Sequence, residues 1–183
     1  KPVPISNEEL SFLYPNVFYA LSTTAALSSV PLEDACVLDM GCGSGLQCHT
    51  ALRQGASAAY GVEHERRYKS RFKQQNREFG EKAKFIKGDL NLKFLAKIRG
   101  IPPLYMQHIP KDEIDVVVAN IGPHGHYHRA HVAAIDSLEH LPSVHTFVGG
   151  GYARDPANTT HLKPDLAYTL LATHGFADIV EWH

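Results

Sequence analysis

Apolar residues fall in two patterns along this chain: short continuous runs, and longer stretches with helical spacing. Residues 35–40 (ACVLDM) form a continuous run that reads as a buried strand leading into a glycine-rich turn. A helix over 46–54, closed by Gly55, and a second strand over 58–62 (AAYGV) follow. From Glu65 to Phe79, the apolar residues Tyr68, Phe72 and Phe79 recur at helical spacing, with bases on the other faces. Further strands are predicted at 83–87, 114–119, 144–148 and 177–181. Two more helices are predicted, over 131–141 up to Pro142 and over 164–173 with Pro164 in the first turn. Strands alternating with helices predict an α/β fold with a mostly parallel central sheet.

Residues 1–34 read as a lead-in of short helices before Pro31, and 35–183 as one domain. Aromatic residues of the lead-in, Tyr14, Phe18 and Tyr19, are expected to pack against that domain. A chain of 183 residues with 44% hydrophobic and 20% charged residues is long enough to bury a core and fits a soluble globular protein. No apolar run approaches the ~20 residues needed to span a membrane. The opening Lys1-Pro2-Val3-Pro4 lacks the charged-then-apolar form of a secretory signal. The natural protein is expected to extend beyond Lys1, which is not an initiator Met, and beyond His183. Cys36, Cys42 and Cys48, odd in number and crowded together, make a poor disulfide framework, so reduced thiols and a cytoplasmic location, or a nuclear one, are expected.

The informative segment is Asp39-Met40-Gly41-Cys42-Gly43-Ser44-Gly45. A strand that turns tightly through glycines into a helix creates a pocket hospitable to anions, and glycines let a ligand approach the backbone closely. A dinucleotide-binding G-x-G-x-x-G would need glycine at position 46, where Leu46 stands, so the pattern is D-x-G-x-G-x-G. Acidic residues also end the next two strands, Glu63 after the second and Asp89 after the third.

In these residues the chain resembles the class I S-adenosylmethionine-dependent methyltransferases over roughly 35–181. The resemblance implies a Rossmann-like three-layer αβα sandwich, although the six readable strands leave the family's usual seventh without a counterpart. It implies that Gly41, Gly43 and Gly45 form the cofactor turn, with Asp39 facing the amino end of S-adenosylmethionine. It further implies that Glu63 accepts hydrogen bonds from the ribose hydroxyls and Asp89 one from the adenine amine. The glycine turn is equally similar to those of ribosomal-protein and arginine methyltransferases.

Acceptor contacts in this family follow the fourth strand, where this chain has Asn120-Ile121-Gly122-Pro123-His124. Asn120 and His124 are the candidate catalytic residues, His124 as a base because its ordinary pKa lies near neutrality. The paired prolines and aromatic residue of base-nitrogen methyltransferases are missing there. The histidine run 124–131 reads as a polar loop or helix start rather than a metal site, since it contains no acid or cysteine ligand.

Net charge is only −1, yet residues 66–99 hold twelve of the eighteen Lys and Arg residues against three acids. Such a stretch is a solvated helix face on the plainer reading and an electrostatic footprint for nucleic acid on the other. Three functions are therefore expected, in descending order. The first is methyl transfer to a protein or small-molecule acceptor; the second is nucleic-acid methylation. The third is cofactor binding in a partner subunit without its own transfer activity.

Overall fold

The computed structural model describes residues 23–90, 103–120, 127–150 and 164–177. Its described elements are, in order, helix α1 over 23–28, β1 (Cys36–Met40), α2 (Leu46–Arg53), β2 (Ala58–Glu63) and α3 (Tyr68–Gln75), followed by β3 (Ala83–Lys87) and β4 (Val116–Asn120). Helix α4 (Tyr127–Asp136), strand β5 (Thr146–Gly150) and helix α5 (Pro164–Thr173) complete the series. Residues 178–181 of the expected sixth strand over 177–181, and Tyr14, Phe18 and Tyr19, lie outside the described residues.

The five strands pair in the order β3-β2-β1-β4-β5, all parallel. Side chains alternate across a strand, so each strand supplies both faces of the sheet. Leu38, Met40, Val62, Val117 and Ala119 bury on one face against Ala134 and Ile135 of α4 and Ala167 and Leu171 of α5. Val37, Ala59, Val116 and Val118 bury on the other against Leu27 of α1, Cys48, Ala51 and Leu52 of α2, and Phe72 of α3. Covered on both faces, the strands are continuous apolar runs, which is why β1 and β4 stand out in the sequence. This is a three-layer Rossmann-like sandwich.

Some element limits differ from the sequence reading, each for a local reason. The helix predicted over 65–79 is regular only from Tyr68 to Gln75; Arg77–Lys82 then forms a 3-10 segment, broken by Gly80 at φ +55°. β5 begins at Thr146 rather than 144, because the Val144 N–H closes a turn onto the Leu141 carbonyl at 3.2 Å. β4 begins at Val116 rather than 114. Asp115 just before it tethers the neighbouring strands, accepting from the Cys36 N–H at 2.9 Å through its carboxylate and from the His145 N–H at 3.1 Å through its carbonyl. The helix predicted to start at 131 starts at Tyr127, and a 3-10 turn over Ser137–His140 carries it to Leu141.

Candidate active site

In an open parallel sheet, ligands bind beyond the carboxyl ends of the strands, where the strand order reverses. Here that point lies between β1 and β4, and β1 delivers the glycine turn to it. Gly41, Gly43 and Gly45 all have positive φ, at 80°, 51° and 84°. Gly45 is more constrained than Gly43. A Cβ built on it would lie 2.4 Å from Phe72 Cδ2, and one built on Gly61 of β2 would lie 2.7 Å from Phe72 Cε2. The ring of Phe72 thus sits in a hollow that two glycines leave open, pinning α3 to the turn. A Cβ on Gly43, in contrast, would meet nothing within 4 Å, so the turn opens onto free space at that residue.

Around the turn stand two buried carboxylates. Asp39 is 1% exposed and Glu63 7% exposed. Glu63 Oε2 accepts from the Gly43 N–H at 3.1 Å, which joins the end of β2 to the turn. Its Oε1 accepts from the Glu65 N–H at 2.9 Å and lies 2.9 Å from His64 Nδ1. Asp39 accepts from the Cys48 thiol at 3.7 Å. Burial pushes the Asp39 carboxyl up from 3.8 to about 7; the Cys48 hydrogen bond opposes the shift, and the nearby Glu63 charge adds to it. Burial, with Asp39 next in effect, likewise raises Cys42 and Cys48 well above the usual thiol range, so both stay protonated at neutral pH.

Asp89 follows β3 and is half-buried, close enough to Tyr105 for its charge to raise that phenol, after the larger effect of burial. The backbone of Asn120 ends β4, two residues past Val118, which pairs with Asp39. Asp39, the three turn glycines, Glu63, Asp89 and the Asn120 backbone therefore gather at the carboxyl edge of four adjacent strands. His124 lies outside the described residues. The second half of the histidine run begins α4, where His131 is buried. Among the described residues no cluster of three or more histidine, cysteine or acidic side chains could hold a metal.

Three participants escaped the sequence reading. Cys48 meets Asp39 nine residues away, His64 pairs with its neighbour Glu63, and Asn76 donates to the Gly45 carbonyl at 3.3 Å and the Phe72 carbonyl at 3.1 Å. Only His64, between Glu63 and Glu65, carried a local sign of its role.

No curated protein matches the chain significantly by sequence. Magnesium protoporphyrin IX methyltransferase from Synechocystis PCC 6803, solved with bound S-adenosylhomocysteine, is similar in fold. The TM-score is 0.63 at 17% identity, covering 97% of this chain and 80% of that one. A TehB-like S-adenosylmethionine-dependent methyltransferase from Corynebacterium glutamicum gives a TM-score of 0.56 at 17% identity, covering 91% and 81%. The chain spans only 46% of a candidate RNA methyltransferase from Pyrococcus horikoshii, at 23% identity over 60% of this chain and a TM-score of 0.42. Among the described residues no helix is long and apolar enough to cross a membrane. The family model described as ribosomal protein L11 methyltransferase (PrmA) matches residues 21–123, more than half of the chain, which therefore belongs to that family of S-adenosylmethionine-dependent methyltransferases.

Proposed function

We propose that this protein transfers the methyl group to a protein or small-molecule acceptor at the carboxyl edge of β1 and β4. The observation that carries the reading is the convergence of a side-chain-free turn with two buried carboxylates from adjacent strand ends. Gly41, Gly43 and Gly45 cradle the methionyl part, with Asp39 toward its amino group. The carboxyl group of that part faces the first turn of α2, which has no side-chain cap and no acid. Glu63 receives the ribose hydroxyls and Asp89 the adenine amine.

A carboxylate offers about four acceptor positions. Glu63 uses three of them on Gly43, Glu65 and His64. The 58%-exposed His64 side chain is the partner free to swing away for a second hydroxyl.

The cofactor, when bound, supplies a methyl group already activated on a sulfonium. The protein's work is then to hold the acceptor in line and exclude water, worth up to roughly 7–11 kcal/mol for well-aligned reactants. Asn120 and His124 are assigned to the acceptor side. His124 takes the proton that a protonated nucleophile must release as its lone pair bonds to the methyl carbon. The family description favours a protein acceptor, and the porphyrin methyltransferase shares the fold with a small-molecule one. Residues 35–183 form the catalytic domain, with 1–34 as its lead-in. Three free, buried cysteines support a cytoplasmic location.

Glu63→Ala is expected to weaken S-adenosylhomocysteine binding by about 1–3 kcal/mol through the lost ribose hydrogen bonds. Calorimetric titration measures this directly, and an unchanged affinity would remove Glu63 from the ribose. Transfer of a tritiated methyl group to separated protein, small-molecule and RNA fractions identifies the acceptor. Label entering RNA alone overturns the acceptor named above.

A further inference from the structure

A groove of about 770 Å³ runs between α3 and β3, on the outer side of the sheet. Lys69, Lys73 and Arg77 line one wall. They are four residues apart, so Lys69 and Lys73 share a helix face at a rise of ~6 Å, and Arg77 continues the row just past the end of α3. Lys87 of β3 lines the opposite side, whereas Lys84 turns to the other face of the sheet, where its Nζ donates to the Tyr60 hydroxyl at 3.5 Å. The four groove cations, Lys69, Lys73, Arg77 and Lys87, are exposed, and among the described residues none has a carboxylate within ion-pair distance. Among the described residues the only acid lining the groove is Glu81. Phe85, set edge-on against the buried Phe72 at 5.5 Å, gives the groove an aromatic floor.

Two further features call for hydrogen-bond donors. Among the described residues β3 pairs only with β2, so alternate residues turn their backbone N–H and C=O groups toward the groove. Asn76, also in the lining, keeps a buried Oδ1 with no hydrogen-bond partner among the described residues.

We propose that this groove binds single-stranded RNA. A regular row of unpaired cations fits a chain of phosphates, and an aromatic floor fits exposed bases, which a duplex would hide. RNA also brings a hydroxyl donor on every sugar, which DNA lacks, to meet the open carbonyls of β3. An acidic peptide would satisfy the cations and the strand edge but leave the aromatic floor without a planar partner. The groove leads to the active site, because β3 runs toward Asp89, two residues beyond Lys87. This surface does not depend on which acceptor receives the methyl group.

Fluorescence anisotropy with a labelled twelve-nucleotide oligouridine tests the proposal. Binding to the wild-type protein should fall with salt at a log–log slope of about −2.8, as expected for four neutralised phosphates on a single strand. The double variant Lys69→Glu/Lys73→Glu should lose at least about tenfold in affinity at low salt. Lys87→Gln, on the other wall, should lose less but flatten the slope. Both variants must retain wild-type affinity for S-adenosylhomocysteine, which shows that they are folded. Equal or tighter binding of oligothymidine, duplex RNA or polyglutamate would overturn the assignment to single-stranded RNA. RNA binding unmoved by either variant would overturn the groove itself.

Discussion

Gly45→Ala is expected to destabilise the protein by about 2–5 kcal/mol and to abolish measurable cofactor binding. Two costs add. An L-residue held at φ +84° pays roughly 1–2 kcal/mol of backbone strain, and forcing a methyl group into filled space costs typically 1–3 kcal/mol more. The space is filled by Phe72 Cδ2 at 2.4 Å and Asn76 Nδ2 at 2.6 Å. Neither group can readily retreat. Phe72 is held by Phe85 on one side and lies above Gly61 on the other, while Asn76 is tied to two backbone carbonyls. Gly43→Ala is the contrasting case, since its new methyl would point into open space. Only strain opposes it, so stability should fall by about 1–2 kcal/mol while the pocket loses room for its ligand. Urea unfolding and calorimetric titration of both variants separate the two effects. Equal destabilisation of the two would show that Phe72 gives way and that its wedge does not hold the turn.

That contrast also marks the limit of what the residues disclose before folding. The glycine spacing and the acids at Asp39, Glu63 and Asp89 were legible because each sits where a strand runs out. A strand end is written locally, as an apolar run that stops. The same locality made β1, β2, β3 and α5 readable to within a residue or so. The seat of Phe72 between Gly45 and Gly61 was not legible, because it joins α3 to two elements far from it in sequence. Nor was the thiol of Cys48 beside Asp39, which depends on how α2 lies over β1. The break in the basic helix at Asn76 has the same origin. There the side chain turns inward to bond the Gly45 carbonyl, a tertiary contact that outweighs helical periodicity. The histidine run reads in sequence as a polar loop or a helix start; its members from Tyr127 onward open α4, and its last, His131, is buried.

Asp39→Asn is expected to stabilise the unliganded protein at pH 8 while weakening its hold on the cofactor. The folded chain keeps the Asp39 proton up to about pH 7, whereas an unfolded chain releases it near 3.8. Between those values the folded state binds the extra proton, so stability falls as pH rises through the window and levels off above it. Below pH 4 the group contributes no penalty. Above pH 7 the full difference amounts to about 4 kcal/mol for a buried carboxylate. Asparagine has no charge to bury and can still accept from the Cys48 thiol, so its advantage in urea unfolding should grow from pH 4 to pH 7 and then stay constant. Cofactor binding should respond in the opposite sense. A cationic amino group beside Asp39 favours the ionised carboxylate, so wild-type affinity for S-adenosylhomocysteine should rise as pH passes upward through about 7, with proton release measurable below that point. The groups facing Asp39, namely Cys48 from α2, Cys42 from the turn and Glu63 from β2, do not offset this. Both thiols remain neutral, and the Glu63 charge only raises the cost of ionising Asp39 alone. The asparagine variant should bind weakly and without that pH dependence. A wild-type affinity flat from pH 6 to 8, or a variant no more stable than the wild type at pH 8, would mean that the carboxylate is already ionised in the empty pocket and is not the group that awaits the amino end.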